Sequence, residues 1–277
     1  MSVVALAELG RTEARVRAPH AVALTRLDPA FDAAVPADQR ARAARFTADV
    51  HLLRPGPWAA DESDTQGRRR FAALVLSGLL CQEVSLAGRP SAELLGPGDV
   101  VRPWQSDDQS IPCHLHWTCI NTASVAILDQ RFVAAARRWP ALMTVIFERL
   151  ADQLHNAQRR AAITGLPRVE QRLVALFWQL ADRWGLVRPE GIVIRLKLTH
   201  EFLGRLIAAR RSTVSLALGA LAADGLLTRD EVGCWTLAPR SAEVLQPALD
   251  RYEHAQRFRR GSEPLTALSA GHRDVSR

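Results

Sequence analysis

The chain has 277 residues, of which 48% are apolar, so it is long enough to form two domains with buried cores. Its net charge of +7 is carried by the residues after 154, which hold 19 basic and 12 acidic side chains, whereas residues 1–154 hold 17 of each. No apolar stretch approaches the roughly 20 residues of a membrane span, and the N-terminus lacks the basic segment of a secretory signal, so we expect a cytoplasmic protein with no membrane partner.

The N-terminal half is predicted to be rich in β-strands. We expect a loosely ordered, flexible extension over residues 1–24 and a strand-rich domain over residues 25–138. Between Phe71 and Phe132, short apolar runs alternate with turn signals such as Gly78 and the segment Gly96-Pro97-Gly98-Asp99. Short strands at this spacing predict an antiparallel sandwich or roll.

A long helix is predicted over residues 139–165, because apolar side chains after Pro140 recur at alternating steps of four and three residues. This period of 3.5 is typical of helices that pair with a copy of themselves, and it predicts a homodimer. The same stripe could instead pack on the helix's own domain, and the sequence leaves this alternative open. The predicted apolar seam consists of Met143, Phe147, Leu150, Leu154, Ala157 and Ala161.

Residues 166–240 are predicted to form a second domain of helices and short strands. A helix is expected over Val169 to Trp184, ending at Gly185, and a strand at Ile192 to Ile194. A hairpin is expected around Gly233, between the apolar runs that end at Leu227 and begin at Trp235. Residues 241–277 are predicted to contain a terminal helix and a basic tail.

The most informative segment runs from Thr199 to Leu221 and predicts two short helices joined by a turn. Thr199 is a good N-cap for the first helix, and Gly204 is expected where the second helix comes close. The second helix buries one apolar face and carries two arginines at its start, which is the arrangement a DNA recognition helix needs. The basic excess of this half of the chain also indicates a polyanionic partner. The apolar positions are Phe202, Leu203, Leu206 and Ile207, followed by Val214, Ala217, Leu218 and Leu221.

At these residues the chain resembles the CRP/FNR superfamily, the relatives of the cyclic-AMP receptor protein. The resemblance extends over about residues 40–240. It is strongest from Thr199 to Ser215 and from Leu221 to Leu227, and it includes Trp139-Pro140 and the turn that ends at Asp99. It implies an α+β fold with an N-terminal β-roll that senses a signal, a dimerisation helix and a C-terminal winged helix. The implied function is that of a DNA-binding transcription regulator and not of an enzyme, with double-stranded DNA, a second copy of the chain and RNA polymerase as partners.

The resemblance also implies roles for individual residues. Arg211 is expected to read a base, through two hydrogen bonds to guanine O6 and N7. Ser212 and Ser215 would add base or phosphate contacts, and Arg210 would add positive charge. Thr199, His200 and Thr213 fall where the family contacts the DNA backbone. Two positions depart from the family pattern: Ala208 replaces a common turn glycine, and Arg210 replaces a frequent capping serine. The turn at Ala208 must therefore avoid a positive φ or carry strain.

The effector of the predicted β-roll is unknown from the sequence. Gly98 and Asp99 resemble a short version of the family's ribose-binding pair, and the phosphate-binding pair would fall at Cys113 and His114. There is no arginine at that second position, so the phosphate charge would lack a buried partner. We therefore expect that cyclic AMP does not bind in the usual family mode.

A β-roll enzyme or small-molecule binder with a helical appendage is the competing hypothesis. His114 and His116 alternate along a predicted strand, as in metal-dependent cupins, but the glutamate that would complete the ligand set is missing. The cysteines show neither a CxxC pair nor zinc-ligand spacing, so we expect free thiols and no metal site. These cysteines are Cys81, Cys113, Cys119 and Cys234.

Overall fold

The computed structural model describes residues 20–59, 69–104 and 113–247, together with residue 250. Within these residues the chain is α+β, as predicted, with antiparallel sheets in the N-terminal half and a helical domain with a small sheet after it. No single described helix is long and apolar enough to span a membrane, although one pair of helices in the C-terminal domain passes that test jointly, across a bend of 102°.

Two antiparallel sheets form the N-terminal β-roll. The first has the order β1-β2-β9-β4-β7 and the second the order β3-β8-β5-β6. Side chains from both sheets, such as Val75 and Val125 from the first and Leu80 from the second, meet in a shared apolar cluster. The predicted roll is therefore confirmed. Its strands are β1 (His20–Ala23), β2 (Thr47–Leu53), β3 (Gly56–Pro57), β4 (Arg70–Ser77), β5 (Leu80–Leu86), β6 (Arg89–Leu95), β7 (Val100–Val101), β8 (Cys113–Cys119) and β9 (Ala123–Asp129).

The ordered structure begins earlier than the predicted domain boundary at residue 25. Residues 20–23 form β1, which pairs with β2, and Leu24 is buried in the core of the roll. The pairing supplies partners for backbone groups that a loose extension would leave to water. Residues 1–19 of the expected extension lie outside the described residues. Short helices of the described residues cover the roll: α1 (Leu24–Leu27), α2 (Pro29–Ala33), a 3₁₀ helix (Ala37–Gln39), α3 (Arg40–Ala43) and α4 (Gln130–Arg138).

The predicted long helix is α5 (Ala141–Thr164), and one of its faces is fixed to the roll. Leu142 and Ile146 are buried in the apolar core of the roll. Arg149 donates hydrogen bonds to the carbonyl oxygen of Gly98, at 2.7 Å, and to the carboxylate of Asp28, at 2.6 Å. The attachment of α5 thus uses side chains outside the predicted apolar seam together with Met143, the first seam residue, which packs against the same core.

The C-terminal domain has the element order of a winged helix. It consists of α6 (Val169–Trp184), β10 (Gly185–Arg188), β11 (Gly191–Ile194), α7 (His200–Ile207), α8 (Arg211–Ala223), β12 (Leu227–Arg229) and β13 (Trp235–Leu237). The strands form one antiparallel sheet in the order β10-β11-β13-β12, and Trp235 packs on Phe177 of α6 with ring centroids 4.9 Å apart. The predicted hairpin around Gly233 is confirmed as β12 and β13.

The end of this domain differs in part from the predictions. Strand β10 was not predicted, because a single Leu-Val pair between Gly185 and Arg188 is too short to show alternation. The segment expected to begin a terminal helix at Ser241 is a 3₁₀ helix, Pro239–Leu245. Most of the predicted helix and tail lies beyond the described residues.

The β-roll and the C-terminal domain share an apolar cluster and several ion pairs. Leu79 and Leu94 of the roll pack in the same cluster as Leu206 of α7. Arg205 of α7 pairs with Glu83 of β5 at 2.5 Å. The roll is thus in direct contact with the first helix of the pair α7 and α8. Two further ion pairs join the roll to α5 and α6, through Arg160–Glu93 at 2.6 Å and Arg183–Asp99 at 2.7 Å.

Candidate functional site

Helices α7 and α8 form a helix-turn-helix with a bend of 102° between them. A Cβ atom at Gly204 would lie 2.5 Å from the carbonyl oxygen of Ala209, so only glycine allows the turn to pass this close to α7. Ala208 has φ 53° and ψ 47°, the left-handed conformation. The turn therefore does not avoid a positive φ, and an alanine there costs roughly 1–2 kcal/mol of strain.

The two helices begin differently. The hydroxyl of Thr199 accepts a hydrogen bond from the backbone N–H of Phe202 at 3.1 Å, so the predicted N-cap of α7 is confirmed. Arg210 occupies the N-cap of α8, and no side chain there accepts from the first-turn amides. The start of α8 is therefore a cationic helix end whose N–H groups are available to an anion.

Helix α8 separates an apolar face from an exposed face. The face packed in the core consists of Val214, Ala217, Leu218 and Leu221, as predicted. On the other side, Arg211, Ser212 and Thr213 are exposed and Ser215 is half-buried. Leu216 is 78% exposed and lies one helical turn after Ser212. We name Arg211, Ser212, Ser215 and Leu216 the reading face; the sequence analysis missed Leu216, although its spacing from Ser212 would have identified it.

His200 links the start of α7 to the reading face. Its Nδ1 atom lies 2.8 Å from Oγ of Ser215, and that oxygen lies 3.0 Å from the carbonyl oxygen of Arg211. The pKa of His200 is lowered, first by partial burial and then by the positive charges of Arg229 and Arg211. At neutral pH this ring is therefore uncharged in the protein without DNA.

The hairpin of β12 and β13 adds positive charge that the sequence analysis did not assign. The guanidinium of Arg229 lies over the ring of Trp235, 5.2 Å from its centroid. A Cβ atom at Gly233 would lie 3.2 Å from Arg229 and 3.6 Å from Lys197, so both cations border the tip of the hairpin. Because β12 directly follows α8 in the fold, these charges extend the cationic surface beyond the reading face.

The predicted apolar seam lies largely on the surface of the single chain. Phe147 is 67% exposed, Leu150 43% and Leu154 60%. Ala161 is also exposed, whereas Met143 and Ala157 are half-buried. Of the large side chains in the seam, Met143 packs against the core of the roll, whereas Phe147, Leu150 and Leu154 remain exposed in the single chain.

The four residues expected in an effector pocket do not come together. In the sheet register, Cys113 and His114 lie opposite Leu86 and Ser85, at the hairpin end of β5. Gly98 and Asp99 follow the opposite end of the neighbouring strand β6. The length of β5, from Leu80 to Leu86, separates the two pairs by on the order of 20 Å.

The turn at Gly98 and Asp99 is occupied by internal contacts. The carboxylate of Asp99 accepts from the backbone N–H of Gly96 and from Arg183, each at 2.7 Å. Beside this turn an open cleft of about 560 Å³ reaches α5 and the end of α6. Arg149 and Arg183, which line the cleft, are already paired with Asp28 and Asp99. The turn is thus organised to join the roll to the helices.

The competing metal-enzyme hypothesis gains no support from the geometry. His114 and His116 are exposed on β8. Within the described parts of the chain, no three histidine, cysteine or acidic side chains are grouped as metal ligands. Burial raises the pKa of Cys81 to about 12 and that of Cys119 to about 11, so both are unreactive thiols.

Comparison with protein families matches residues 171–238 to the family model of a Crp-like helix-turn-helix domain. The match extends from α6 through α7 and α8 to β13, and it confirms the resemblance inferred from the residues between Thr199 and Leu227. A comparison with curated protein sequences finds no match.

Solved structures share the fold of about two thirds of the chain at low sequence identity. A CooA mutant from Carboxydothermus hydrogenoformans is 19% identical with a TM-score of 0.54, over 68% of this chain and 82% of that chain. FixK2 from Bradyrhizobium japonicum is 20% identical with a TM-score of 0.53, over 70% and 93%. A CRP-family transcriptional regulator from Thermus thermophilus is 20% identical with a TM-score of 0.50, over 68% and 91%. The arrangement of β-roll, long helix and winged helix is therefore a known one.

Proposed function

We propose that this protein is a DNA-binding transcription regulator of the CRP/FNR superfamily and that it acts as a homodimer on an inverted-repeat operator. Its Crp-like helix-turn-helix domain lies at residues 171–238. The observation that carries the proposal is the reading face of α8. It places Arg211 and Ser212 in solvent at the N-terminal end of a helix whose opposite side is fully packed. A helix held from behind in this way can enter the major groove without rearranging its own domain.

The dimer is supported by the exposed apolar seam. Full burial of a side chain such as Phe147 or Leu150 contributes about 1.5–3 kcal/mol. Phe147, Leu150 and Leu154 of the seam remain exposed although the same helix is attached to the roll through the contacts of Arg149 to Gly98 and Asp28. A second copy of α5 offers the same spacing of apolar side chains, so a two-stranded coiled coil covers both stripes at once.

Each part of the site would contribute a different kind of DNA contact. Arg211 would read guanine through O6 and N7, Ser212 would add a base or phosphate contact, and the hydroxyl oxygen of Ser215 would accept from a base. The DNA backbone would be contacted by Thr199, His200 and Thr213. Further positive charge near it would come from Arg210, Arg229 and Lys197. Phosphate contacts position the helix, and base contacts decide the sequence.

Leu216 would add an apolar base contact. In the major groove the C5 methyl group of thymine is the apolar feature that a leucine can touch. Leu216 follows Arg211 by five residues, which is about 7.5 Å along a helix, and successive base pairs along a groove are about 3.4 Å apart. We infer a thymine about two steps from the guanine that Arg211 reads.

A dimeric regulator bound at a promoter also needs to affect transcription, and RNA polymerase is the partner we propose for this step. The effector of the β-roll is not part of the proposal, because its four candidate residues do not form one pocket.

The proposal is tested by a gel shift of the full-length protein on the DNA upstream of its own gene and on fragments that co-purify with it. We expect a discrete complex that survives competition by unrelated duplex, with two chains per operator in sedimentation. Binding that unrelated DNA displaces equally well would contradict a sequence-specific function.

A further inference from the structure

The hydrogen bonds around Ser215 fix which nitrogen of His200 carries a proton. The carbonyl oxygen of Arg211 can only accept, so the hydroxyl of Ser215, at 3.0 Å, must donate its single proton to it. The same hydroxyl lies 2.8 Å from Nδ1 of His200 and has no second proton to give. Nδ1 must therefore be the donor, and it carries a hydrogen whether the ring is neutral or charged.

The other nitrogen of the ring follows from this assignment. With its hydrogen on Nδ1, the neutral ring of His200 has a bare lone pair on Nε2. A lone pair repels a phosphate oxygen, because both atoms are hydrogen-bond acceptors. Nε2 can bind a phosphate only after it gains a proton from solvent, which makes the ring an imidazolium ion.

The surroundings of the ring keep it neutral until an anion arrives. Partial burial disfavours a charge on it first, and the two charged groups that act on it, Arg229 from β12 and Arg211 from α8, are both cations. The neighbouring carboxylate on its own helix, Glu201, is bound by Arg205 at 2.6 Å. A DNA phosphate in direct contact with Nε2 would favour the charged ring through its negative charge and a hydrogen bond, which act against burial and the two arginines.

We propose that His200 binds a DNA phosphate through Nε2 only as an imidazolium ion, so that each half-site takes up one proton when DNA binds. The inference rests on the proposed DNA-binding function and adds a pH dependence to it. The two ring nitrogens of His200 then have separate roles. Nδ1 donates to Ser215 of the reading face, and Nε2 donates to a phosphate of the DNA backbone. Operator binding becomes coupled to proton concentration through a residue that does not touch a base.

The sign of the coupling follows from the two states of the ring. In the free protein the pKa of His200 is lowered from its ordinary value of 6.5, and a bound phosphate raises it. Between the free and the bound pKa, DNA binding takes up a proton, so affinity falls as pH rises. The loss is up to about tenfold per pH unit for each half-site in this window. Below the free pKa the ring is already charged and the dependence vanishes.

The first test does not involve DNA. Histidine labelled with ¹⁵N in the full-length protein, with the His200→Gln variant to assign its signal, reports the tautomer of the neutral ring. We expect the proton on Nδ1. A neutral ring with its proton on Nε2 would overturn the inference and leave the DNA-binding function untouched.

The second test measures DNA affinity from about pH 6 to pH 8, the range in which histidine titrates. It uses the recovered operator fragment and compares the full-length protein with three variants. His200→Gln places an uncharged hydrogen-bond donor near the position of Nε2, and His200→Asn places one near the position of Nδ1, where it can still donate to Ser215. In both variants the dependence of affinity on pH should be lost. His116→Gln, at an exposed position of β8, should keep the pH dependence. His200→Asn should also bind more weakly at the acidic end, by about tenfold per half-site.

The outcomes separate the two proposals. Proton uptake in wild type and His116→Gln, but not in the His200 variants, supports the inference, and calorimetry in buffers of different ionisation enthalpy counts the protons directly. If all four proteins bind specifically and their affinities depend on pH in the same way, this inference is contradicted and the proposed function is not. Absence of any specific duplex binding contradicts the proposed function and this inference with it.

Discussion

Helices α5 and α8 each leave one face exposed, and the two faces differ in chemistry. On α5 the exposed side chains are Phe147, Leu150 and Leu154, which are large and apolar. On α8 the exposed face begins with Arg211 and Ser212 at a helix end whose amides have no side-chain cap. Both helices are anchored from behind, α5 by the roll and α8 by the core of its own domain.

The difference indicates the partner that each face requires. An apolar stripe gains free energy only when another apolar surface removes it from water, and a copy of the same stripe does this symmetrically. A cationic face loses its hydration less readily, and it needs a partner that accepts hydrogen bonds, as phosphates and the edges of bases do. A substitution that changes the chemistry of one face should therefore weaken binding of the partner of that face first.

The largest effect is expected from a charge on the apolar seam. Leu150→Glu places carboxylates from two chains opposite each other, and it should give monomers in sedimentation and abolish operator binding, because one half-site contact is too weak alone. Ala162→Glu adds the same charge at an exposed position of α5 outside the seam and should leave both properties intact. A Leu150→Glu protein that remains dimeric and binds its operator would refute the role of the seam.

Arg211→Ala should weaken operator binding by about 1–3 kcal/mol per half-site and relax the preference for guanine at one symmetric position. Thr213→Ala, also exposed on the first turn of α8, should weaken all sequences about equally, because its contact is to the backbone. Selection of binding sites from a random pool with both variants measures this directly. If the effects on preference are exchanged between the two variants, the assigned roles are reversed.

Leu216→Ala should reduce affinity by about 1 kcal/mol per half-site, because alanine is too short to cover the thymine methyl group. Replacing the operator thymines one at a time by deoxyuracil removes the methyl group alone. At one symmetric position, wild type should lose affinity on this replacement, whereas Leu216→Ala should be insensitive to it. Equal losses for both proteins at every thymine would exclude a methyl contact by Leu216.

The smallest effect is expected at the hairpin. Arg229→Gln should leave the preferred sequence unchanged and reduce the slope of log affinity against log salt concentration by about one per half-site. Arg229→Lys keeps the charge near the backbone and should retain most of that slope. A changed base preference in Arg229→Gln would place this arginine in a groove instead of at a phosphate.

Much of the fold was predictable because periodicity and turn chemistry are local. Apolar side chains that recur at alternating steps of four and three residues identified α5. The bounds of α6 follow from its own apolar pattern and from Gly185. The cap at Thr199 depends on neighbours a few residues away and is as predicted, whereas the close approach at Gly204 is made by Ala209 of the turn and not by the second helix. The buried faces of α7 and α8 followed from the same helical spacing.

The parts that could not be predicted depend on contacts between distant residues. Pairing with β2 orders residues 20–23, which carry no strong strand signal of their own. The register of β5 with β6 and β8 sets Cys113 apart from Gly98, and no spacing along the chain reveals this. The bond from His200 to Ser215 spans fifteen residues and exists only because the turn at Ala208 brings α7 and α8 together.

The most direct test of the account is the selection of binding sites by the full-length wild-type protein from a random duplex pool. A homodimer with two copies of the reading face in successive major grooves predicts an inverted repeat whose half-site centres lie about 34 Å apart, one helical turn. It also predicts a guanine in each half-site whose preference disappears with Arg211→Ala. Recovery of a single asymmetric site, or of no preferred sequence, would contradict the central claim.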